Sequence, residues 1–351
     1  MASNYKRLGN YIQQVDVRNT DLSVELLLGV SIEKKFIESH ANTVGTDFSK
    51  YKIVKRGQFA YGPVTSRNGD KISIALLDEA DACLISSSYT PFEIVKPDEL
   101  NAEYLMMLFR NPEYDRFARY NSWGSAREVF SWEDFCDSEL YIPDIEEQQK
   151  IVRQYKTITD RIEVLEKINE KLDELLSLMY YELNKEESIL LKQLTTKEKG
   201  VKTGKGADDF SINETETDKF PVIGASGIMG YTSKFLYDKR IISTGRVGTI
   251  GKVMLWDGPN WFTDNSLVIE SDYIATVYCL LKQYNFGEIL GGSSNPKITQ
   301  TDLNNVVFDI PSDDDMKLFE NKGKNIIDLM ILIRSEIKVL EQLKERIISN
   351  L

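Results

Sequence analysis

The side chains that could carry out catalysis are few. His40 is the only histidine, so neither a histidine-based triad nor a histidine-rich metal site can be assembled. The glycines at 245, 248 and 251 depart from the dinucleotide-binding spacing, and the sequence has no P-loop lysine. Cys83, Cys136 and Cys279 are odd in number and far apart, which argues against disulfides or a zinc site and favours a reducing compartment. We therefore expect a non-catalytic, cytoplasmic protein that binds no metal or cofactor of its own.

Polar residues in turns are better suited to contact with nucleic acid. Such side chains beside rigid strands can reach phosphates or base edges, and neighbouring glycines let the backbone approach a ligand closely. The candidate DNA-binding residues are Arg67, Asn68, Lys71, Trp123, Ser125 and Arg127 in the first half, and Ser226, Arg246, Lys252, Asn265, Ser293, Ser294, Asn295 and Lys297 in the second. Each residue taken alone also fits an exposed polar turn. The hypothesis therefore depends on the two matched groups of loops.

The overall charge does not favour DNA binding, because phosphate contacts require a basic surface. The chain has 43 Lys and Arg against 55 Asp and Glu, for a formal net charge of −12. Basic residues nevertheless cluster at 50–71, 192–206 and 234–252, while acidic residues concentrate at 144–187. Clusters of this size also arise by chance in a chain with so many basic residues. Charge alone therefore does not decide the function.

The strongest feature of the sequence is an internal repeat with an offset of 168 residues. Residues matched by this offset are Gly124 and Gly292, Asp134 and Asp302, Pro143 and Pro311, and Leu183 and Leu351. The match needs no gap over about 60 residues. The chain therefore consists of two halves, each with a variable front and a shared back.

Each half ends in a predicted long helix with apolar residues at heptad positions a and d, the pattern of a coiled coil. The predicted interface residues are Ile158, Ile162, Leu165, Asn169, Leu172 and Leu176 in the first helix, and Ile333, Ile337, Leu340, Lys344 and Ile347 in the second. Asn169 and Lys344 either fix the register of the pair or lie exposed at a frayed seam. Because only a partner of similar length can cover such a seam, the two helices are expected to form an antiparallel pair.

The two fronts are predicted to be β-rich, because short apolar runs alternate with Gly, Pro and Asn-Gly turns. A short amphipathic helix is predicted after each, near residues 98–119 and 271–286. The expected fold class is α+β, with two similar α/β domains and an antiparallel two-helix coiled coil. We predict a first domain at 1–145, a central helix at 146–185, a second domain at 186–315 and a C-terminal helix at 316–351. No apolar run is long enough to cross a bilayer, and the start of the sequence lacks a secretory signal.

Several segments of the chain resemble the specificity subunits of Type I restriction-modification systems. Residues 245–252 look like the glycine-arginine turn of a target-recognition domain in that family, and residues 220–231 look like the segment before it. Residues 61–69 and 86–92 are similar to a second subtype of this domain, although the first half lacks the Gly-Arg-Val-Gly turn. Residues 142–152 resemble the start of the family's spacer helix. The resemblance extends over nearly the whole chain.

The resemblance implies a subunit that recognises a two-part sequence in double-stranded DNA. Each target-recognition domain would read one half, and the helices would set the gap between the halves. Two modification (methyltransferase) subunits would dock on the helices, and restriction (motor-nuclease) subunits would complete the assembly. S-adenosylmethionine, ATP and Mg²⁺ would be bound by those partners and not by this chain. No membrane partner is implied.

Three other functions remain open at the level of the sequence. An acidic DNA mimic that inhibits restriction enzymes would explain the negative charge, but it would have no use for glycine-arginine turns. The recognition part of a fused restriction-methylation enzyme would still read DNA. A coiled-coil adaptor would leave the two variable domains without a purpose.

Overall fold

A computed structural model describes residues 4–39, 45–66, 68–124, 128–207, 209–290 and 296–351. The chain divides into two compact units. The first unit contains Met1–Ile162 and Val339–Leu351, and the second contains Glu163–Lys338. Both units combine helices with sheets, which confirms the predicted fold class. The four segment limits proposed from the sequence stay a prediction.

The first unit is built on short antiparallel strands. The strands are β1 (Tyr5–Arg7), β2 (Ile12–Gln14), β3 (Leu28–Val30), β4 (Phe36–Glu38), β5 (Lys52–Lys55), β6 (Phe59–Tyr61), β7 (Ile74–Leu76), β8 (Ala82–Ile85), β9 (Thr90–Ile94) and β10 (Glu139–Tyr141). The helices are α1 (Ala102–Arg110), α2 (Pro112–Tyr120), α3 (Trp132–Cys136) and the first part of α4 (Ile145–Tyr181). The main sheet has the order β2-β9-β6-β7, and β1-β10, β3-β4 and β5-β8 form separate pairs.

Aromatic side chains fill the core of the first unit. The rings of Phe59 and Phe92 stack with centroids 4.8 Å apart, and those of Tyr61 and Phe135 stack at 4.6 Å. The second stack joins α3 to the sheet, because Phe135 lies on α3, and Phe135 also contacts Phe92. Burial of large aromatic groups contributes strongly to stability. The core therefore fixes the loops that follow β6 and α2.

The second unit contains two four-stranded sheets. Its strands are β11 (Glu187–Leu190), β12 (Lys202–Thr203), β13 (Phe220–Gly224), β14 (Gly227–Thr232), β15 (Tyr237–Asp238), β16 (Ile241–Gly245), β17 (Met254–Trp256), β18 (Pro259–Phe262), β19 (Ser266–Ile269) and β20 (Val307–Ile310). Its helices are the second part of α4, α5 (Ile274–Gln283), α6 (Gln300–Asn304) and most of α7 (Asp313–Ser349). The last part of α7, from Val339, belongs to the first unit. The sheet orders are β12-β19-β16-β17 and β14-β13-β18-β15, with β11 paired to β20.

The repeat seen in the sequence is also a structural repeat. The same 168-residue offset carries α3 onto α6 and α4 onto α7, residue for residue at both ends. Ser131 and Thr299 occupy matching N-cap positions and accept hydrogen bonds from the backbone N–H groups of Asp134 and Asp302. Side-chain oxygens at this position satisfy backbone donors that the helix leaves without partners. The shared backs of the two halves therefore fold alike.

Within each unit, the parts of the long helices that it contains run antiparallel, as predicted. In the first unit, the side-chain amide of Asn111 donates to the carbonyl of Ile348 near the end of α7, and Ile348 shares a core with Val152 near the start of α4. In the second unit, the ring of Tyr180 near the end of α4 lies 5.2 Å from that of Phe319 near the start of α7. All eleven predicted interface residues are buried or half-buried. These residues include Asn169 and Lys344, so neither is a fully exposed side chain.

Candidate nucleic-acid interface

The structure describes eight of the predicted DNA-binding residues. Arg67, Ser125, Arg127, Ser293, Ser294 and Asn295 lie outside the described residues, as does His40. Ser226, Arg246, Lys252, Asn265 and Lys297 belong to the second unit, and Asn68, Lys71 and Trp123 belong to the first. The two groups are considered separately.

The candidate site of the second unit lies at the end of strand β16. All five residues of β16 are buried, and the strand pairs with both β17 and β19, so its end is held firmly. Arg246 follows directly. Its backbone N–H donates to the carbonyl of Asn265 at 2.8 Å, and its carbonyl accepts from the N–H of Ile298 at 3.0 Å. The turn after β16 is therefore fixed on both sides by other segments of the same unit.

Glycines are required in this turn for two different reasons. A Cβ atom at Gly245 would lie 2.1 Å from the carbonyl oxygen of Thr249 and 3.0 Å from that of Ala225, so no side chain fits there. Gly248 has a φ of +70°, a left-handed conformation that other residues rarely adopt. The glycine pattern thus serves a tight turn that places Arg246 at its start.

Three further segments meet the turn and bring the other predicted residues to it. Lys252 Nζ donates to the carbonyl of Ser226 at 2.7 Å, which joins the turn to the β13–β14 hairpin. Asn265 is exposed and contacts Arg246 through the backbone, and Lys297 is exposed and bridges to Val247. All five predicted residues described in this unit therefore cluster at one end of β16. Three of the five carry positive charge.

Two threonines near Arg246, Thr244 and Thr263, were not among the site residues predicted from the sequence. The hydroxyl oxygens of Thr244 and Thr263 and the Nε atom of Arg246 are buried and have no hydrogen-bond partner among the described residues. A buried polar group without a partner typically costs about 1–3 kcal/mol. No sequence pattern marks these threonines, and Thr263 comes near the end of β16 only because β19, which follows it, pairs with β16.

In the first unit, two loops that carry predicted residues lie side by side. The N–H of Thr65 donates to the carbonyl of Glu128 at 3.0 Å, and the backbones of Trp123 and Val129 exchange two hydrogen bonds. Trp123 is 66% exposed, which leaves its indole free to contact a ligand. Asn68 is half-buried, and its side-chain amide donates to the carbonyl of Val64 within its own turn. The structure therefore gives Asn68 a role in shaping the loop.

Lys71 borders a cavity of about 730 Å³ that is lined by more cations than anions. The lining cations are Lys34, Lys71, Arg110, Arg116 and Arg119, and the lining acids are Glu33, Asp70 and Asp115. Lys71 itself pairs with Glu33 at 2.9 Å. Such a surface suits contact with phosphate groups more than reading of base edges.

A buried ion pair forms one wall of this cavity. Lys34 Nζ lies 2.5 Å from Asp115 Oδ1, and both side chains are almost fully buried. Burial lowers the pKa of Lys34 from its ordinary value, and the hydrogen bond to Asp115 opposes that effect. Asp115 also accepts the N–H of Ile72 at 3.0 Å, which ties α2 to the loop before β7. The pair therefore positions the loop that carries Lys71.

Two kinds of site are not found in the described ranges. Among these residues, no group of three or more His, Cys, Asp and Glu side chains could hold a metal ion. Likewise, no helix in the part of the chain that the structure describes is long and apolar enough to span a membrane.

Comparison with known proteins finds a family whose model matches part of the chain and solved structures with a similar fold. Residues 189–347, which include the whole cluster around Arg246, match the family model of the Type I restriction modification DNA specificity domain. No curated protein matches the chain. Among solved structures, the chain is similar to the Type-I restriction-modification system S subunit from M. genitalium, with a TM-score of 0.58, 16% identity, and coverage of 98% of this chain and 94% of that one.

Two other solved structures are similar at lower scores. One comes from work on complex assembly and conformational transition of the type I R-M system, with a TM-score of 0.44, 14% identity, and coverage of 98% and 96%. The other is the HsdS subunit from Thermoanaerobacter tengcongensis, with a TM-score of 0.37, 15% identity, and coverage of 98% and 94%.

The matched domain, together with the fold, supports a protein that recognises DNA sequence. The resemblance to Type I restriction-modification specificity subunits stated from the sequence is confirmed, because residues 189–347 match the DNA specificity domain of that family and the fold of the chain is similar to that of a solved S subunit. A role in DNA recognition is confirmed with it, and these findings do not favour an acidic DNA mimic or a coiled-coil adaptor. The residues that contact DNA remain a prediction.

Proposed function

We propose that this chain is a non-catalytic subunit that reads a two-part DNA target, one part with each unit. The observation that carries this proposal is the cluster at the end of β16, where Ser226, Arg246, Lys252, Asn265 and Lys297 meet although they are spread over 72 residues of sequence. Arginine and lysine there can contact phosphates or guanine, and asparagine can contact adenine.

The proposed partners dock on the outer faces of the long helices. Val164, Ile168, Leu175 and Leu178 of α4 are each at least 41% exposed, and their spacing places them along one face. On α7, Leu318, Leu329 and Leu332 are exposed in the same way. We assign these surfaces to two modification subunits, which would bind S-adenosylmethionine. Restriction subunits, with ATP and Mg²⁺, are a further proposed partner. The cytoplasmic location inferred from the free cysteines stays a prediction.

Domain exchange and methylation mapping test this function. The chain is expressed with its modification subunits, and methylated adenines are mapped in the host genome. Residues 186–315 are then replaced with the corresponding segment of a relative. We expect one half of the target to change while the other half and the gap remain. A chimera that changes both halves, or a complex that methylates without sequence preference, would contradict the proposal.

A further inference from the structure

Two large apolar side chains are exposed at the tip of the β13–β14 hairpin. Ile228 is 50% exposed and Met229 is 47% exposed, and they directly follow Gly227, the first residue of β14 after the turn. Single exposed apolar residues are ordinary on protein surfaces. Two exposed apolar residues in succession at the tip of a hairpin are less ordinary, because neighbouring strand residues normally point to opposite faces of the sheet.

A β-bulge explains why both side chains lie at the tip. Ile223 pairs with Ile228 and Val222 pairs with Gly230, so Met229 has no partner residue on β13. A bulge of this kind redirects a side chain and is often found next to functional sites. Gly224 completes the arrangement, because a Cβ atom there would lie only 2.3 Å from Met229 Sδ. The side chain of Met229 therefore packs against the backbone of Gly224, which fixes its position.

The tip is continuous with the candidate DNA interface. Lys252 Nζ donates to the carbonyl of Ser226 at 2.7 Å, immediately before the tip. The carbonyl of Ala225 lies so close to Gly245 that a side chain there would contact it. The apolar tip is therefore flanked by the turn that carries Arg246 and by Lys252. A nucleic acid bound by these cations would therefore also contact the tip.

We propose that the tip enters the major groove of the half-site read by the second unit, where Ile228 and Met229 contact thymine methyl groups. The proposal rests on the DNA-reading function proposed above. The major groove is wide enough to admit two antiparallel strands joined by a turn. β13 and β14 are such a pair at the edge of a four-stranded sheet, in which β13 also pairs with β18. The thymine C5-methyl is the apolar group that this groove displays, and apolar side chains recognise it. Ile228 and Met229 thus add a specificity for thymine that the polar residues of the site lack.

The test removes the methyl groups from the DNA. The complete complex with its modification subunits is bound to a duplex that carries the mapped target, and each thymine of the second half-site is replaced in turn by deoxyuridine. For the natural chain, at least one replacement should weaken binding about fourfold, the effect of one lost buried methyl-sized group. The double variant Ile228→Ser/Met229→Ser should bind the thymine duplex more weakly and lose its sensitivity to that replacement. Val307→Ser, an equally apolar and 59% exposed position on β20, serves as the control and should change neither property.

Several results would overturn the inference and leave the proposed function standing. The complex could bind its target specifically with no sensitivity to deoxyuridine, or the double variant could keep the sensitivity of the natural chain. A second half-site made only of G·C pairs would exclude thymine contact outright. Loss of the modification subunits from the double variant would show that the tip binds protein. If the natural complex binds all sequences equally, the proposed function itself fails.

Discussion

Glu320 on α7 holds the start of α5 through Thr276. Its carboxylate accepts the backbone N–H of Thr276 at 3.1 Å and the hydroxyl of the same residue at 3.2 Å, and it also accepts the N–H of Ala275 at 3.0 Å. Tyr273, at the N-cap of α5, provides no side-chain cap. A residue of the long helix therefore satisfies the donors that α5 leaves open. In the first unit, Gln148 of α4 does the same for the N–H of Asn101 before α1.

Removal of this cap should destabilise the second unit. Glu320 is buried, so Glu320→Ala would leave the N–H groups of Ala275 and Thr276 without partners. We expect the free energy of unfolding to fall by about 1–3 kcal/mol, the cost of buried groups left unsatisfied. Glu320→Gln, which keeps one acceptor oxygen, should lose less. Glu341→Ala, at an exposed position on the same helix, is the control in urea unfolding, and an equal loss in both alanine variants would contradict the prediction.

The buried ion pair of the first unit should be more costly to break than any exposed pair. Asp115→Asn leaves the Lys34 ammonium buried beside a neutral amide, and we expect a loss of about 3–5 kcal/mol. Asp81→Asn, which breaks an exposed pair with Arg56, should have no measurable effect. Unfolding of the two variants by urea at neutral pH makes the comparison, and similar losses in both would show that burial is not the cause.

The same variant should show a distinct pH dependence. The hydrogen bond to Asp115 raises the pKa of Lys34, so its removal lowers that pKa further below the ordinary value of about 10.5. Between the lowered pKa of Lys34 in the native protein and its ordinary pKa in the unfolded chain, the unfolded chain binds more protons than the native chain. The free energy of unfolding therefore rises with pH in that range. The stability deficit of Asp115→Asn relative to the natural chain should therefore shrink as the pH is raised toward 10. A deficit that is constant or grows would contradict this assignment.

Arg246→Ala should weaken DNA binding by the complex. If the guanidinium contacts a phosphate, affinity should fall for all sequences and the slope of log affinity against log salt should decrease by about one. If it contacts a guanine edge, the loss should be about 1–3 kcal/mol and one target position should become degenerate. Titrations at several salt concentrations and methylation mapping separate these results. Lys192→Ala, an exposed cation on the same unit, is the control, and an Arg246→Ala complex with unchanged affinity and specificity would assign Arg246 to the turn alone.

The sequence predicts local and repeated features well. The heptads place α4 within a few residues of its observed ends, because an apolar stripe is set by spacing along the chain alone. The helix stops early at Tyr181, where Lys185 Nζ donates to the carbonyls of Tyr180 and Leu183 at 2.7 and 2.8 Å. The glycine-arginine turn was also identified as a candidate contact site.

Features that depend on distant pairing were not predicted. Lys34 and Asp115 are 81 residues apart, and nothing in either segment shows that one charge is buried against the other. The bulge at Met229 depends on the register between β13 and β14, which composition does not reveal. The contact between DNA and Asn68 stays a prediction, and the sequence did not show that its amide also donates to the carbonyl of Val64 within its own turn. A polar residue in a loop does not show from its type alone whether it points outward or supports the loop.

The long helices provide the sharpest test of how the gap in the target is set. α4 and α7 each have 37 residues, and both cross the boundary between the units, which falls after Ile162 in one and after Lys338 in the other. Duplicating residues 156–162 in α4 and 332–338 in α7 adds one heptad to each helix and keeps every interface position in phase. Each helix lengthens by about 10 Å at 1.5 Å per residue.

B-DNA advances about 3.4 Å per base pair, so the gap between the two half-sites should grow by about three base pairs. The bases read in each half should not change, because neither the loops at the end of β16 nor those after β6 and α2 are altered. Duplication in α4 alone is the control. It would shift Leu165, Leu172 and Leu176 against α7 and should destabilise the chain without producing a new, longer gap. Methylation mapping of cells that carry the paired duplication reads the gap directly, and an active complex with the original gap would mean that the helices do not measure the DNA.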